Sequence, residues 1–477
     1  MATIEGEQNH SVVEGSPYKA ILRLATPTVI AMLSQSAVNE IDVIFFSHLP
    51  CPESSNGQAA LLPSLLIIWL FGGSLSAISV GTQALTARRY AERNYAGGGA
   101  VLANSAWFCL LAGAVLTVIG MALLPYLLGI IIKVPEVRQT ALDYSRWRLM
   151  GVISMAMTQA IKSFFDGVGK THVHLVAAIV MNVFNVLFCW IFIFGHLGAP
   201  RLGAPGAGVS GFLATWIGLG IMILFASRER HRYHPVRWSN ISRKLTWDIL
   251  KLSIPASVAT ATMMFGFMLF SLIVGKLDAI ARDSQALVTV AGACGSSEAV
   301  NGAATTDIVA ILKLTFTACL AFGTATATLV GQTLGRKRPE DAVKYGWASV
   351  RLGLVIFGAI GLLEGIFAEP IVNFISHSEA VRQVSIVPMR MMGIATPVIA
   401  VAMILSEALF GAGNTKFVAL AQLLLIFGCL VPLAYVLAIP LGLSLVGIWA
   451  SACVYATLAA VTMSLKFRGG AWQTIKL

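Results

Sequence analysis

Acidic residues inside apolar stretches are the first feature of this 477-residue sequence that could do chemistry. They are Glu40, Asp42, Glu364 and Glu407. An ionisable group at membrane depth is costly and usually faces a cavity or a partner. A carboxyl group in such a cavity can take up and release a proton near neutral pH, or it can bind a cation together with amide oxygens.

Asp42 is the strongest candidate among these acids. Gln35, Asn39 and Asp42 have the i, i+4, i+7 spacing, so they share one polar face of a helix. Glu40 lies about 200° around that helix from Asp42, so the two carboxylates are not expected to share a site. The alternative is that both acids are solvated at the outer end of their helix.

The two later acids are less distinctive. Glu407 precedes the GAGNT segment, where a coupling role and simple solvation near the cytoplasmic end both remain open. Lys162 occupies the related neighbourhood of the first half of the chain, so an ion pair between related positions is a further option. Glu364 falls near the outer end of its apolar stretch, and we interpret it as an ordinary helix-end acid.

Uncharged polar residues accompany the acids in the first half. Asn182 and Asn185 are spaced i, i+3 in VMNVFNVLFCW and share a helix face. Each could help to bind a cation, and each could instead cross-link helices by hydrogen bonding. Thr215 is a small polar residue of the sixth stretch, and its hydroxyl can simply bond its own backbone.

Flexible thioether and aromatic side chains on the seventh stretch suggest a substrate cavity. They are Met263, Met264 and Phe267, and Gln35 of the first stretch could contribute to the same cavity. They suit flat, lipophilic molecules, with ordinary packing or lipid contact as the alternative.

Cys51 and Cys294 fall in loops on one predicted side, and whether they pair is left open. The cysteines and histidines show no spacing typical of a metal site.

The composition indicates that these residues lie in a membrane protein. Hydrophobic residues make up 57% of the chain, charged residues only 12%, and the mean hydropathy is +0.80. Soluble domains carry roughly 25% charged residues, so a soluble enzyme, a nucleic-acid-binding protein and a disordered scaffold are excluded. Twelve stretches are long enough to cross a bilayer: about 21–48, 59–87, 100–128, 141–166, 172–196, 206–227, 248–275, 308–334, 344–368, 385–411, 416–440 and 444–466.

Positive charge is distributed unevenly between alternate loops. One set of loops, together with both tails, carries 20 Lys and Arg residues, and the other set carries 6. Because cytoplasmic loops concentrate Lys and Arg, both termini are predicted to be cytoplasmic, in a cell membrane that we take to be a bacterial inner membrane. The net charge of +11 then reflects topology and does not require a nucleic-acid partner.

An internal repeat divides the twelve stretches into two halves. ILRLATP recurs as ILKLSIP, GVGKT as GAGNT, and GFLAT as GIWAS, each pair at the same place in its half. Parallel repeats of this kind are a transporter architecture. The predicted fold is therefore an all-α polytopic membrane protein of 12 transmembrane helices, in two six-helix lobes related by pseudo-two-fold symmetry.

The repeat also predicts the domain bounds. A cytoplasmic tail and an N-lobe are followed by a basic linker, a C-lobe that includes a long outer loop, and a second cytoplasmic tail. Their bounds are 1–20 for the first tail, 21–227 for the N-lobe, 228–247 for the linker, 248–466 for the C-lobe, 276–307 for the loop and 467–477 for the second tail.

These motifs resemble the multidrug and toxic compound extrusion (MATE) family over about residues 20–466. The ILRLATP opening, KSFFDGVGKT, LFGAGNT and VGQTLGR are similar to family elements at matching positions. The resemblance implies an antiporter that is not an enzyme and needs no cofactor. It would act as a monomer with two lobes around a central cavity, exchanging H⁺ or Na⁺ for organic, cationic or amphiphilic compounds.

The resemblance also implies roles for individual residues. Asp42 matches the acidic position of the family's first helix, Pro27 the proline at which that helix bends, and Asn185 an asparagine of a cation network. A Na⁺ ion at Asp42 and Asn185 is one option. Departures leave the ion open: Cys189 stands where one branch has an acid, and Ile399 where another branch has Asp.

Two other functions remain as alternatives. A lipid or lipid-linked oligosaccharide flippase of related architecture would carry more cationic cavity residues to meet phosphates. An intramembrane enzyme is a more distant alternative, because the eight histidines form no evident catalytic constellation. A major facilitator transporter is disfavoured, because TARRYAERNYAGG does not match the corresponding loop of that superfamily.

Overall fold

A computed structural model describes residues 16–50, 53–132, 134–234, 241–283, 290–291, 297–298, 300–375 and 379–475. The chain forms two compact units. The first contains the residues up to Thr26 together with Val258–Leu477, and the second contains Pro27–Ser257. Cys51, Cys294 and the acidic start of the chain lie outside the described residues.

The helices up to the basic linker are α1 (Pro17–Ser47), α2 (Glu53–Ile68), α3 (Ser74–Ser76), α4 (Ile78–Ala91), α5 (Tyr95–Ile131), α6 (Pro135–Met150), α7 (Val152–Val168), α8 (His172–Phe194), α9 (Ala204–Arg228) and α10 (Arg230–Tyr233). The later helices are α11 (Arg243–Asp283), α12 (Val300–Gly335), α13 (Pro339–Ile366), α14 (Ala368–Ile375), α15 (Glu379–Gly411), α16 (Thr415–Leu425), α17 (Val431–Ala438) and α18 (Ser444–Arg468). A short antiparallel pair, β1 (Val290–Ala291) and β2 (Ser297–Glu298), lies between α11 and α12.

Ten helical segments of the described chain are long and apolar enough to cross a membrane. The remaining two predicted stretches coincide with α1 and with the consecutive helices α6 and α7, which are interrupted at Gly151. Large apolar side chains are exposed on these segments, for example Val118, Tyr126 and Ile130 on α5. This is the surface that a lipid environment favours, and the predicted all-α polytopic fold is confirmed.

The units divide inside two long helices. One boundary falls between Thr26 and Pro27 in α1, and the other between Ser257 and Val258 in α11. Each of these helices therefore begins in one unit and ends in the other. The lobe bounds predicted from the sequence stay a prediction, but the proline expected to act as a hinge lies at one of the two divisions.

The predicted outer loop is shorter than the sequence suggested, because α11 and α12 both extend into it. Asp278 is the physical reason on the α12 side. Its Oδ1 accepts a hydrogen bond from the backbone N–H of Asn301 at 3.0 Å, and its Oδ2 accepts one from Gly302 at 2.9 Å. The first amides of a helix have no partner within that helix, so this carboxylate stabilises an earlier start of α12.

The basic linker is attached to the Pro27–Ser257 unit at its described ends. The guanidinium of Arg232 lies 4.3 Å from the ring centroid of Tyr95. Asn104 of α5 accepts hydrogen bonds at 2.9 Å from the backbone of Ser242 and the hydroxyl of Thr246. These contacts fix the start of α11 against α5.

The GVGKT and GAGNT repeats have the same structural role in their own units. Gly169 and Gly413 both adopt positive φ angles, of 82° and 89°, just beyond the ends of α7 and α15. A Cβ on Gly167 would lie 2.9 Å from the carbonyl oxygen of Gln83, and one on Gly411 would lie 2.3 Å from that of Ala327. Gly411 follows Gly167 by 244 residues, and Ala327 follows Gln83 by the same number, so the two contacts are equivalent in the two halves. The first glycine of each motif therefore permits close helix packing, and the second ends the helix.

We expect Gly411→Ala to destabilise the protein by about 1–3 kcal/mol, because the added methyl group would overlap backbone atoms of α12. Thermal unfolding of the purified protein in detergent measures the effect. Gly358→Ala on α13 is the matched control, since a Cβ there meets no atom within 4 Å. Equal stability of the two variants would contradict the packing argument.

Candidate functional site

Asp42 is buried within the Pro27–Ser257 unit, with 7% of its surface exposed. The hydroxyl of Tyr144 on α6 donates a hydrogen bond to its Oδ2 at 3.4 Å. The thiol of Cys189 on α8 donates a weaker one to its Oδ1 at 3.7 Å. Helices α1, α6 and α8 therefore meet at this carboxylate, and the alternative of a solvated helix-end acid is wrong for Asp42.

An apolar cluster surrounds the two donors. Tyr144 and Cys189 are buried together with Phe46, Leu61 and Ile193. The ring of Phe46 meets that of Tyr144 edge to face, with centroids 6.5 Å apart. Apolar surroundings lower the local dielectric, so the charge of Asp42 interacts with neighbouring charges more strongly than it would in water.

Arg148 is the residue of this site that the sequence interpretation missed. Its charge interacts with that of Asp42, and its guanidinium carbon lies 5.9 Å from the ring centroid of Tyr144. Gly211 of α9 makes room for it, because a Cβ at Gly211 would lie 2.1 Å from Nη1 of Arg148. A signal was present: Tyr144 and Arg148 are spaced i, i+4 within the fourth apolar stretch, so they share a helix face.

The predicted asparagines of α8 lie on the same side of the unit. Asn185 is buried, and the thiol of Cys189 lies 3.9 Å from its Oδ1, so Cys189 stands between the asparagine and Asp42. Asn182 is also buried and donates to the hydroxyl of Ser34 on α1 at 3.0 Å. Asn182 thus joins α8 to α1, whereas the described contact of Asn185 is with Cys189 on its own helix.

The other predicted residues of the first half have different surroundings. Thr215 accepts a hydrogen bond from Ser154 and donates one to the carbonyl of Phe212, both at 2.9 Å. It lies beside the break between α6 and α7 and has no described contact with Asp42. Gln35 is half-buried on α1, and the side chain of Asn39 lies outside the described part of the chain.

The predicted residues of the second half do not form one described cluster. Glu407 is half-buried against Gly323 of α12, where a Cβ would lie 2.7 Å from its Cγ. On α11, Met264 and Phe267 are exposed and Met263 is half-buried. Lys162, from the related neighbourhood of the first half, forms a buried ion pair with Asp166 of its own helix, with Nζ and Oδ2 3.0 Å apart.

Glu364 is not the ordinary helix-end acid that the sequence suggested. It is 8% exposed. Its two carboxyl oxygens are hydrogen-bonded to the hydroxyls of Thr315 and Thr396, on two neighbouring helices. The sequence missed this because position near a helix end does not reveal which neighbours cover that end.

The described residues contain no group of three or more His, Cys, Asp or Glu side chains placed to hold a metal ion. The chemistry around Asp42 is that of one carboxylate with a phenol, a thiol and a guanidinium. Such a set can hold and release a proton, because neighbouring charge and hydrogen bonds stabilise the ionised carboxylate while burial opposes it.

Comparison with known proteins gives a consistent result. A family model described as MatE matches residues 27–191 and 284–436. The probable multidrug resistance protein NorM of Thermotoga maritima is 23% identical over 471 residues, which cover 95% of this chain and 93% of that protein.

Solved structures share the fold. An outward-facing multidrug resistance MATE family transporter of the MOP superfamily aligns with a TM-score of 0.84 and 21% identity, covering 98% of each chain. A MOP superfamily transporter from Pyrococcus furiosus, whose binding pocket is described as having reverse polarity, aligns with a TM-score of 0.83 and 21% identity. That alignment covers 96% of this chain and 97% of the other.

Proposed function

This chain belongs to the MatE family of membrane transporters, which are not enzymes, and we propose that it exports organic compounds in exchange for protons that bind at Asp42. The observation that carries this proposal is the buried carboxylate of Asp42, held by Tyr144 and Cys189 and facing the charge of Arg148. Ionisable groups at membrane depth are costly and rare, and they commonly mark ion or substrate pathways.

A proton suits this site better than Na⁺. Hard cations prefer several oxygen ligands. The described neighbours of the Asp42 oxygens are one hydroxyl and one thiol, and the thiol separates the carboxylate from the amide oxygen of Asn185. Arg148 opposes any added positive charge at Asp42. A proton bonds covalently to the carboxylate and needs no other ligand, whereas Na⁺ would need more oxygen ligands than the described neighbours supply.

Protonation would change the contacts that join α1 to α6 and α8. While Asp42 is ionised, Tyr144, Cys189 and Arg148 all favour its present position. Once it is neutral, the attraction to Arg148 is lost and the carboxyl group becomes a hydrogen-bond donor. A ligand shifts a conformational equilibrium only through its different affinity for the two states, and this change of partners supplies such a difference. Pro27 is the position at which we expect α1 to bend in response.

The substrates that we propose are organic, cationic or amphiphilic compounds. The Thermotoga maritima relative is named as a probable multidrug resistance protein. Arg148 is a cationic residue of the kind that a flippase would use for phosphates, but here it lies beside Asp42, which offsets its charge. The site therefore favours drug export over lipid-phosphate transfer. The roles of Asn182, Thr215 and Glu407 remain predictions.

Efflux from proteoliposomes under separately imposed ion gradients tests the coupling. We expect a proton gradient to accelerate the exit of a cationic dye, and an equal Na⁺ gradient at constant pH to leave the rate at its basal value. A protonophore should remove the acceleration. Acceleration by Na⁺ alone would contradict proton coupling, and transport of a fluorescent phospholipid without dye efflux would favour the flippase.

A further inference from the structure

Glu364 lies in the unit that does not contain Asp42, and the proposed mechanism leaves it unused. Its position is set by a close crossing of α13 and α15. A Cβ on Gly361 would lie 2.2 Å from the carbonyl oxygen of Gly393, and one on Gly393 would lie 2.7 Å from the backbone nitrogen of Gly365. Small residues allow two membrane helices to approach this closely. The crossing holds Glu364 against Thr396 of α15.

Two threonines hold the carboxyl group. The hydroxyl of Thr315 on α12 lies 2.6 Å from Oε1, and that of Thr396 on α15 lies 2.7 Å from Oε2. Both threonines are buried, so all three side chains are shielded from water. Buried polar groups of this kind are costly unless they are hydrogen-bonded, and here both carboxyl oxygens are hydrogen-bonded.

Thr396 has a second partner that makes the site adaptable. Its hydroxyl oxygen also lies 3.0 Å from the carbonyl oxygen of Met392. A hydroxyl carries one hydrogen and can donate only one hydrogen bond at a time. It can donate to the ionised carboxylate of Glu364, or it can donate to Met392 and accept a hydrogen bond from a protonated Glu364.

We propose that Glu364, Thr315 and Thr396 form a second proton-binding site in this protein. A proton adds to Oε2 of the carboxylate, and the Thr396 hydroxyl turns its hydrogen from Oε2 to the Met392 carbonyl. Thr315 donates to Oε1 in both states. The carboxyl group is therefore fully hydrogen-bonded whether it is charged or neutral, and no heavy atom has to move.

The charged surroundings of Glu364 are sparse. Cys319 on α12 is a buried titratable thiol that interacts electrostatically with Glu364. Lys313 on α12, Arg390 on α15 and Glu369 on α14 are exposed, and the ion pairs found among the described residues do not include Glu364. A neutral, protonated state of Glu364 is thus not opposed by an ion pair among the described residues, whereas the charge of Arg148 opposes protonation of Asp42.

Glu364 lies close to one end of its helix. Glu364 lies two residues before the end of α13, which is roughly 3 Å along the helix axis. By the predicted topology this end faces the outer side of the membrane. The hydroxyl and carboxyl oxygens are already within direct hydrogen-bonding distance, so the geometry suits a proton better than an inserted metal cation.

Infrared difference spectra of the full-length protein between acid and alkaline pH test the site directly. We expect a carbonyl stretching band of a protonated carboxyl group that is lost in Glu364→Gln and retained in Asp42→Asn. Thr396→Val should move this band, because the protonated carboxyl loses a hydrogen-bond partner. Thr317→Val is the matched control, since Thr317 donates to the carbonyl of Lys313 on its own helix, and it should leave the band unmoved.

Three results would overturn the proposal: no such band at any pH, an unchanged band in Glu364→Gln, or removal of the band by Na⁺ at constant pH. If Glu364→Gln does not fold, the shift in Thr396→Val still decides. Any role of Glu364 in transport rests on the proposed function. Absence of proton-driven efflux in the natural protein would refute that function, whereas the spectra test proton binding at Glu364 independently.

Discussion

Replacing Asp42 by asparagine should abolish proton-driven efflux while the protein still folds. Asparagine preserves the shape of the side chain and can still accept a hydrogen bond from Tyr144, but it cannot bind a proton in the relevant pH range. Without a group that binds the coupling proton, the gradient has no site through which to act, so we expect the rate under a proton gradient to fall to the basal rate measured without one. Dye efflux from proteoliposomes under a proton gradient measures it.

The same helices offer a matched control for this variant. Asp143 is adjacent in sequence to Tyr144, but it lies on the exposed side of α6 and forms a 3.4 Å ion pair with Arg146. Asp143→Asn removes one carboxylate from the same unit without touching the Asp42 site. We expect its efflux to match that of the natural protein. Unchanged efflux in Asp42→Asn, or equal loss in both variants, would refute the assignment.

Arg148→Gln should lower the free energy of unfolding by about 1–3 kcal/mol. Removing one partner of a fully buried ion pair lowers the free energy of unfolding by about 3–5 kcal/mol. Arg148 is half-buried, and the described contacts include no hydrogen bond or ion pair between it and Asp42, so the expected cost is smaller. Loss of its charge leaves an ionised Asp42 inside the apolar cluster with only two weak hydrogen-bond donors. Denaturant or thermal unfolding in detergent measures the change.

A double substitution distinguishes pairing from packing. If the cost of Arg148→Gln comes from the stranded carboxylate, Asp42→Asn in the same protein should restore most of the lost stability. Arg146→Gln, two residues away on the exposed side, should change stability by less than about 0.5 kcal/mol. Additive losses in the double variant would show that Arg148 acts by packing against Gly211 and not through Asp42.

The repeat motifs illustrate what could be predicted in advance. The sequence showed that GVGKT and GAGNT occupy related places, and the structure shows why glycine is needed there, since neighbouring backbone leaves no room for a Cβ. The helix positions were predictable because each stretch must bury or expose a continuous apolar surface. The breaks at Gly151 and within α2–α4 were not predicted, because an interruption of one residue or one turn leaves no clear signal in the composition of the surrounding stretch.

The sequence by itself determined the membrane environment, the twelve helical stretches, the repeat and the candidacy of Asp42, because each depends on composition and spacing along one chain. Only the tertiary structure decided the partners of the buried acids. Asp42 contacts Tyr144, which is 102 positions away in the sequence, and Cys189, which is 147 positions away. Glu364 contacts Thr315 and Thr396, which lie on other helices. Whether a carboxylate is solvated or buried depends on how helices pack around it, and that information is not local in sequence.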